Sequence, residues 1–321
     1  MRTGDLTPGL IKEKQMKILI TGASGMLASD VISELEQSGR VIFKENVDIL
    51  KGDIHPRLSN IKEIDVRNLD EMDGWVSLEK PDFIFHLAAE TNVDLCEQDR
   101  DHAYRSNYIG TENMALICQK YDIPLLYIST AAVFDGNKPD PYIEYDEVLP
   151  INSANTYGRS KLLGEISVQR LLSRYFIVRA SWLMGGWEID KKFVYKIVKQ
   201  LESGTKEIRV VNDKFGSPTF TADFAKNLLP LIASGRYGLY HMANKGGGSR
   251  YDIALKIVQV MGLEGKVKVQ PIPSSAFPLP APRPRSELLR NQHLDLIGMN
   301  DMPPWEESLE SYIRTNVFRR A

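Results

Sequence analysis

Residues 17–39 read KILITGASGMLASDVISELEQSG, and the choice of fold turns on them. The apolar run at 17–21 has the length of a buried strand, and Gly22-x-x-Gly25-x-x-Ala28 follows it at once. Met26, Leu27, Val31, Ile32 and Leu35 then recur at helical spacing, with Gly39 as the expected helix end. Glycine lets a backbone turn tightly and approach a diphosphate. The helix start behind it offers unpaired N–H groups and the positive end of a dipole. A strand before the glycines and a helix after them favour a dinucleotide turn over a merely structural one. Ala28 in the third position still permits close helix–strand packing.

Working outward, the same alternation continues. Apolar strands are predicted at 40–43 (RVIF), 61–66, 82–90, 124–130 and 175–182, and helices at 69–79, about 101–121 and about 155–174. Continuous apolar strands separated by helices mark a parallel sheet covered on both faces. The expected fold class is α/β, a Rossmann-type doubly wound parallel sheet with a smaller C-terminal substrate-binding region. Residues 16–180 form the dinucleotide-binding domain, with a return at about 217–243, and 181–321 are mainly substrate-binding. Residues 1–15, MRTGDLTPGLIKEKQ, read as a flexible extension before a second methionine. The proline-rich run at 271–285 reads as an extended surface segment or a substrate-side loop, and 303–314 as a late amphipathic helix with proline in its first turn.

Composition excludes several classes of function. Of 321 residues 43% are hydrophobic and 26% charged, which is ordinary for a globular chain with a real core. Lys and Arg number 40 against 42 Asp and Glu, so nothing recommends a nucleic-acid polymer or an anionic membrane as partner. No apolar run approaches the ~20 residues needed to span a bilayer. Cys96 and Cys118 form no CxxC pair, which fits a reducing cytoplasm. Five scattered histidines lack metal-ligand spacing, so no metal is expected.

The strongest chemical signal is Tyr157-Gly158-Arg159-Ser160-Lys161. Four residues apart on a helix, Tyr157 and Lys161 share a face. A phenol must fall by roughly 3 pKa units, about 4 kcal/mol, to exchange protons readily near neutrality. One ammonium at ~4.5 Å and an effective dielectric of ~20 supplies about 3.7 kcal/mol, so Lys161 is expected to do most of the tuning. Thr130 ends the strand before this helix, within ISTAAVFDG at 128–136. Parallel strands present their C-terminal ends to the ligand crevice, so its hydroxyl is expected on the carbonyl oxygen that Tyr157 protonates. The candidate catalytic residues are Thr130, Tyr157 and Lys161.

The GxxGxxA spacing points away from ordinary dehydrogenases and towards the short-chain type. MKILITGASGML (16–27), HLAAETNVDLCE (86–97), ISTAAVFDG and PYIEYDEVLPINSANTYGRSKLLGE (141–165) together resemble the extended short-chain dehydrogenase/reductases. VRASW, VNDKFGSPTFTADFA, GLYHMAN and APRPRSELL follow in order, and the likeness narrows to the dTDP-4-dehydrorhamnose reductase family. FGSPT and the RPR block are its most specific parts. The resemblance implies NADP- or NAD-dependent reduction of the 4-keto group of a nucleotide-diphosphate deoxysugar, and a homodimer as the usual assembly. Cofactor-lining candidates are Gly22, Ser24, Gly25, Met26 and Leu27 at the turn, and Leu87, Ala88, Ala89 and Thr91 after the fourth strand. Tyr157 and Lys161, which holds the nicotinamide ribose, complete that set. Asp65 and Val66 either meet the adenine or end a strand in water. Asn107 stands where the superfamily often has a supporting helix Asn, or is simply polar. Substrate-side candidates are Thr130, Val133, Trp182, Arg283 and Arg285; guanidinium matches phosphate oxygens, though an arginine pair in a solvated coil reads the same. Lys44 suits a 2′-phosphate and Glu45 free ribose hydroxyls, so the choice between cofactors stays open.

The chain departs from the family at Ala131-Ala132, where Asp-Tyr is usual. That substitution is expected to open volume beside Thr130 and to shift preference to a 4-keto sugar other than dTDP-4-dehydrorhamnose. Dehydratases carry Asp-Glu there, and without either carboxylate dehydration is not expected. Two alternatives stand beside the reductase: a nucleotide-sugar 4-epimerase, and a non-catalytic regulatory subunit resembling methionine adenosyltransferase subunit β.

Overall fold

Ile18, Leu19 and Ile20 are all fully buried in β1, Gln15–Thr21. Successive side chains of a strand point to opposite faces, so three consecutive buried residues require cover on both sides. The structure, a computed structural model that describes residues 15–148, 153–189 and 192–318, supplies it. Helix α1 (Met26–Phe43) is followed by β2 (Asn46–Asp53), β3 (Lys62–Glu63), α2 (Leu69–Glu79) and β4 (Phe83–His86). Then come α3 (Val93–Gln98), α4 (Arg100–Tyr104), a π-turn at Arg105–Ile109, α5 (Gly110–Tyr121) and β5 (Leu125–Thr130). Next are α6 (Thr156–Leu171), β6 (Tyr175–Ala180), β7 (Leu183–Met184), α7 (Phe193–Glu202), β8 (Glu207–Val211), β9 (Phe215–Gly216) and β10 (Thr219–Phe220). The chain returns to the main sheet through α8 (Thr221–Ala233) and β11 (Gly238–His241).

The central sheet has seven strands in the order β11-β6-β5-β4-β1-β2-β3. Every pairing in it is parallel. Helices α1 and α8 pack one face through Val31, Leu35, Phe224 and Leu228. Met72, Trp75, Met114, Ile117 and Val168 from α2, α5 and α6 cover the other. This is the expected Rossmann-type fold, and its strand order reverses beside β1, where dinucleotides bind in such sheets.

The second strand is not where the pattern puts it. Arg40–Phe43 is the last turn of α1, whose C-cap is Lys44 at φ 59°. Ile42 and Phe43 continue the packed stripe of the helix, and Gly39 makes room for Val47 rather than ending the helix. The true β2 is masked by Asn46, Asp48 and Lys51 among its apolar residues. Lys44 and Glu45 consequently lie at the N-terminal end of β2, away from the ligand edge, and Asp53 stands at its C-terminal end. The expected third strand at 61–66 shrinks to β3, and the single helix at about 101–121 is split by the π-turn.

Small sheets organise the rest of the chain. After β12 (Gly248–Ser249), α9 (Arg250–Val260), β13 (Lys268–Ile272) and β14 (Ser286–Glu287) come α10 (Gln292–Leu296) and α11 (Trp305–Ile313). Strands β12, β9 and β14 form one sheet, and β8 pairs with β13, which takes up the start of the proline-rich run. Val198, Ile208, Ile257, Trp305 and Leu309 make a second core there. Pro304 is the N-cap of α11 rather than a residue of its first turn.

Helix α6 approaches the end of β5 more closely than any side chain would allow. A Cβ on Gly158 would lie 2.0 Å from the Ala132 carbonyl oxygen, and one on Gly164 would lie 2.5 Å from the Tyr127 hydroxyl. Gly158→Ala should therefore cost about 1–3 kcal/mol of stability by overpacking. Gly74, exposed inside α2 with nothing near its missing Cβ, provides the contrast. Gly74→Ala should add about 0.5–1 kcal/mol. Urea unfolding of the two variants checks both signs, and a neutral Gly158→Ala would show that the helix can retreat without loss.

Candidate active site

The turn after β1 is shaped for an approaching ligand backbone. Gly22 sits at φ 71°, and a Cβ there would come within 2.6 Å of the Ala88 nitrogen and 2.8 Å of the Leu87 carbonyl carbon. The first turn of α1 has no side-chain cap and no acidic residue, so its N–H groups and dipole remain available to an anion. Ser24 N–H donates to Asp53 Oδ2 at 2.9 Å, and Arg57 N–H to Ser24 Oγ at 3.1 Å, which ties the turn to the end of β2. A dinucleotide fits these residues. Met26 and Leu27 begin the helix, while Ala88 and Ala89 stay partly exposed across the turn and Thr91 is exposed beyond them.

Two of the expected cofactor residues are occupied by protein partners. The Asp65 carboxylate is held by the Arg67 guanidinium at 2.8–2.9 Å. Burial pushes its pKa up, but hydrogen bonds from Arg67 outweigh this and leave it lowered. Val66 accepts from Asn113 through its carbonyl and packs where Gly110 lacks a side chain. Asn107, in the π-turn, is fully buried. Its amide donates to Glu90 O and Ser160 Oγ, both at 3.0 Å, and its Oδ1 accepts from Glu90 N–H. It joins the loop after β4 to α6.

Thr130, Tyr157 and Lys161 come together at the C-terminal edge of the sheet. Asn155 caps α6 by accepting from Gly158 N–H, and Glu97 accepts from Thr156 N–H, so the first turn that carries Tyr157 is fixed. The Thr130 hydroxyl lies close enough to the Tyr157 phenol to lower its pKa, and it also accepts from Ala132 N–H at 3.1 Å. Lys161 is 3% exposed, and its Nζ lies 4.1 Å from the Tyr127 ring centroid. Glu165, one turn on, forms a buried pair with Arg179, whose Nε and Nη2 donate to its two oxygens at 2.9 and 2.6 Å. Tyr157, Lys161 and Glu165 are spaced i, i+4, i+8 along one face of α6, a pattern visible in the sequence.

Electrostatics in the site run opposite to the simple Coulomb estimate. Burial raises the Tyr157 pKa well above its ordinary value; the Thr130 hydroxyl opposes this, while Cys96, Glu287 and Glu90 add to it. Burial likewise lowers Lys161 to about 7, partly offset by Glu165 and Cys96. A dielectric suited to half-exposed charges omits this desolvation, which wins here. Tyr157 therefore holds its proton at neutral pH, as a proton donor must. His86 is pushed down to about 3 by burial and by Lys161, and stays neutral. Its Nδ1 lies 2.8 Å from Thr21 Oγ1 and its Nε2 3.1 Å from Thr111 Oγ1. Because the Thr111 hydroxyl donates to Asn107 O, Nε2 carries the ring proton and Nδ1 accepts from Thr21.

The substrate side differs from expectation in detail. Ala131 and Ala132 are 1% and 4% exposed, so neither side chain faces open solvent beside Thr130. Ala131 and Val133 pack in an apolar cluster with Phe134, Tyr142 and Leu162, so neither offers its side chain to a ligand. Arg283 is bound to Asp94 at 3.0 Å and to Ala281 O at 2.9 Å, pinning the proline-rich segment over α3. Arg285 is exposed. Trp182, at φ 35°, donates from Nε1 to Glu287 Oε2 at 2.7 Å, and the Arg250 guanidinium lies 3.9 Å over its ring. Glu287 and Arg250 escape the sequence reading, although Glu287 stands inside the quoted RPRSELL block. Among the described residues no cluster of His, Cys, Asp and Glu could hold a metal ion.

The Lys161 shift has a measurable sign. Its pKa is about 7 folded and that of a free lysine unfolded, so the unfolded chain binds more protons above pH 7 and native stability rises with pH. Between pH 7 and 8.5 the wild type should gain stability that Lys161→Met does not. Parallel urea titrations with equal pH slopes would contradict the depressed value.

Comparison with known proteins follows the same lines. The family model described as RmlD substrate binding domain matches residues 16–317. The dTDP-4-dehydrorhamnose reductase of Mycolicibacterium smegmatis is 32% identical over 94% of this chain and 86% of its own length. The dTDP-4-keto-6-deoxy-D-glucose reductase of Streptomyces niveus is 30% identical over 91% of this chain and 94% of its own. The crystal structure of the dTDP-4-dehydrorhamnose reductase of Bacillus anthracis in complex with NADP superposes with a TM-score of 0.83 at 34% identity. It covers 94% of this chain and all of that one. With the Gly22 turn, the Thr130–Tyr157–Lys161 site and a match over nearly its whole length, the chain belongs to the dTDP-4-dehydrorhamnose reductase family of extended short-chain dehydrogenase/reductases.

Proposed function

We propose that the protein reduces the 4-keto group of a dTDP-linked deoxysugar with a reduced nicotinamide dinucleotide. The observation that carries this reading is the meeting of Thr130, Tyr157 and Lys161 at the ligand edge of the sheet, beside a turn that leaves room for a diphosphate. Gly22, Ser24, Gly25 and the first N–H groups of α1 hold the diphosphate, and Lys161 reaches the ribose. When bound, the nicotinamide supplies the hydride for C4.

The protein's own groups do the rest. Thr130 and Tyr157 direct their hydroxyls to the C4 oxygen and fix its position. Tyr157 gives that oxygen its proton as negative charge develops there; its raised pKa keeps the proton in place until then. Lys161, seated over the Tyr127 ring and kept charged by nearby Glu165, steadies the phenolate left behind. Asn107 fixes the loop after β4 against α6, while His86 ties β4 to β1 and α5; both stay out of the proton path.

The division into a dinucleotide-binding part at 16–180 and a mainly substrate-binding part from 181 belongs to the same proposal, as does a homodimer. No helix among the described residues is long and apolar enough to cross a membrane. The unpaired, buried Cys96 and Cys118 support a reducing cytoplasm as the place of action.

A reduced cofactor deuterated at the transferring position of its nicotinamide tests the reading. Offered dTDP-4-dehydrorhamnose and dTDP-4-keto-6-deoxyglucose, the enzyme should place deuterium at C4 of a product sugar, read by mass spectrometry and NMR. Cofactor oxidation without label at C4, or turnover of no 4-keto sugar, contradicts it.

A further inference from the structure

Glu287 is an acid built into the wall of the sugar-binding side, and the reaction as described gives it no part. Its backbone is set by the small sheet: Gly216 of β9 pairs with Glu287 of β14 and with Gly248 of β12, and Arg250 begins the helix that follows. Ser181 Oγ donates to the Glu287 carbonyl at 2.7 Å. A Cβ on Gly216 would lie 2.4 Å from the Trp182 ring, so glycine is what lets the indole lie against the sheet. Trp182 Nε1–H then grips Oε2 at 2.7 Å, and the Arg250 guanidinium covers the indole.

The two carboxylate oxygens are thus unequal. Among the described residues Trp182 is the sole donor to Oε2. Among the described residues no hydrogen bond to Oε1 is found, and the Glu287 side chain stays partly exposed. The carboxylate lies between two landmarks. On one side stands Thr130, which pairs in register with Ala180, two residues before the Trp182 that holds the carboxylate; on the other, Arg250 stacks on the same indole, and Arg283 and Lys214 share its electrostatic surroundings. A sugar whose C4 oxygen meets Tyr157 and whose diphosphate meets those cations brings its ring past Oε1. On a 4-keto-6-deoxy ring the neighbouring carbons carry a methyl group at C5 and a hydroxyl at C3, and only the hydroxyl can donate. An ammonium in that place would be repelled by the three cations.

We propose that Glu287 selects the substrate by accepting a hydrogen bond from the 3-hydroxyl of the sugar, beside the reacting carbonyl. This rests on the reductase reading and names the feature of the sugar that the site requires. It also places selection on β14 rather than on Ala131 and Ala132, whose side chains are packed away.

The test pairs a dTDP-4-keto-6-deoxy sugar bearing its 3-hydroxyl with the 3-deoxy counterpart, on wild type, Glu287→Ala and Glu287→Gln. A bond to a charged acceptor predicts that wild type prefers the hydroxylated sugar in kcat/KM by about 10- to 100-fold. Glu287→Ala should abolish that preference by losing activity on the hydroxylated sugar alone. Glu287→Gln, which keeps the volume, should reduce it partly and leave the 3-deoxy sugar within about 3-fold. Equal losses on both sugars, or no preference in wild type, would overturn the proposal. The same combinations are run by calorimetry with oxidised cofactor and the corresponding 4-hydroxy sugars. If no keto sugar turns over, the reductase reading falls, and the presence or absence of the 3-hydroxyl preference in binding still decides the role of Glu287. Cofactor affinity that stays at the wild-type value shows that both variants fold.

Discussion

The candidate active site depends on how closely one helix can approach the end of one strand. Gly158 lies against the Ala132 carbonyl and Gly164 against the Tyr127 hydroxyl, and no larger residue fits at either point. That approach brings Tyr157 within reach of Thr130 and sets Lys161 over the Tyr127 ring. Asn155, Glu97, Asn107 and Ser160 then fix the helix by hydrogen bonds to its first turns. The parallel sheet supplies the other condition, since it delivers the ends of β1, β4 and β5 to the same edge.

Burial then governs the chemistry. A phenol and an ammonium withdrawn from water both shift towards their neutral forms, so the dry site opposes the charges that the reaction creates. The buried Glu165–Arg179 pair keeps a negative charge one turn from Lys161 and resists the loss of its proton. His86, flanked by two threonine hydroxyls, is held neutral and adds no competing cation. The arrangement suits a tyrosine that keeps its proton until the carbonyl oxygen can take it.

What is legible in the sequence is what is local. Gly22 and Gly25 between an apolar strand and a helix, and Tyr157 and Lys161 one turn apart, declare themselves by spacing alone. Thr130 follows from the rule that parallel strands end at the ligand edge. Strand β2 is not legible, because Asn46, Asp48 and Lys51 interrupt its apolar run while Ile42 and Phe43 imitate a strand at a helix end. That displacement moves attention from Asp53 to Lys44 and Glu45. Glu287 and Arg250 are invisible for another reason. They meet Trp182 only through the pairing of β14, β9 and β12, which draws together residues more than 30 positions apart. The direction of the Tyr157 shift needs burial, which no spacing reveals.

Joint action of Thr130 and Tyr157 on one oxygen is the step on which the proposed reduction rests. Steady-state turnover and cofactor affinity of Tyr157→Phe, Thr130→Val and the double variant measure it. Loss of the proton donor should cut kcat by about 10²- to 10⁴-fold in Tyr157→Phe, with cofactor affinity within about 2-fold of wild type. Since both groups serve the same atom, the double variant should be little worse than Tyr157→Phe alone. A Tyr157→Phe enzyme that keeps most of its turnover, or losses in the two single variants that simply multiply, would contradict the account.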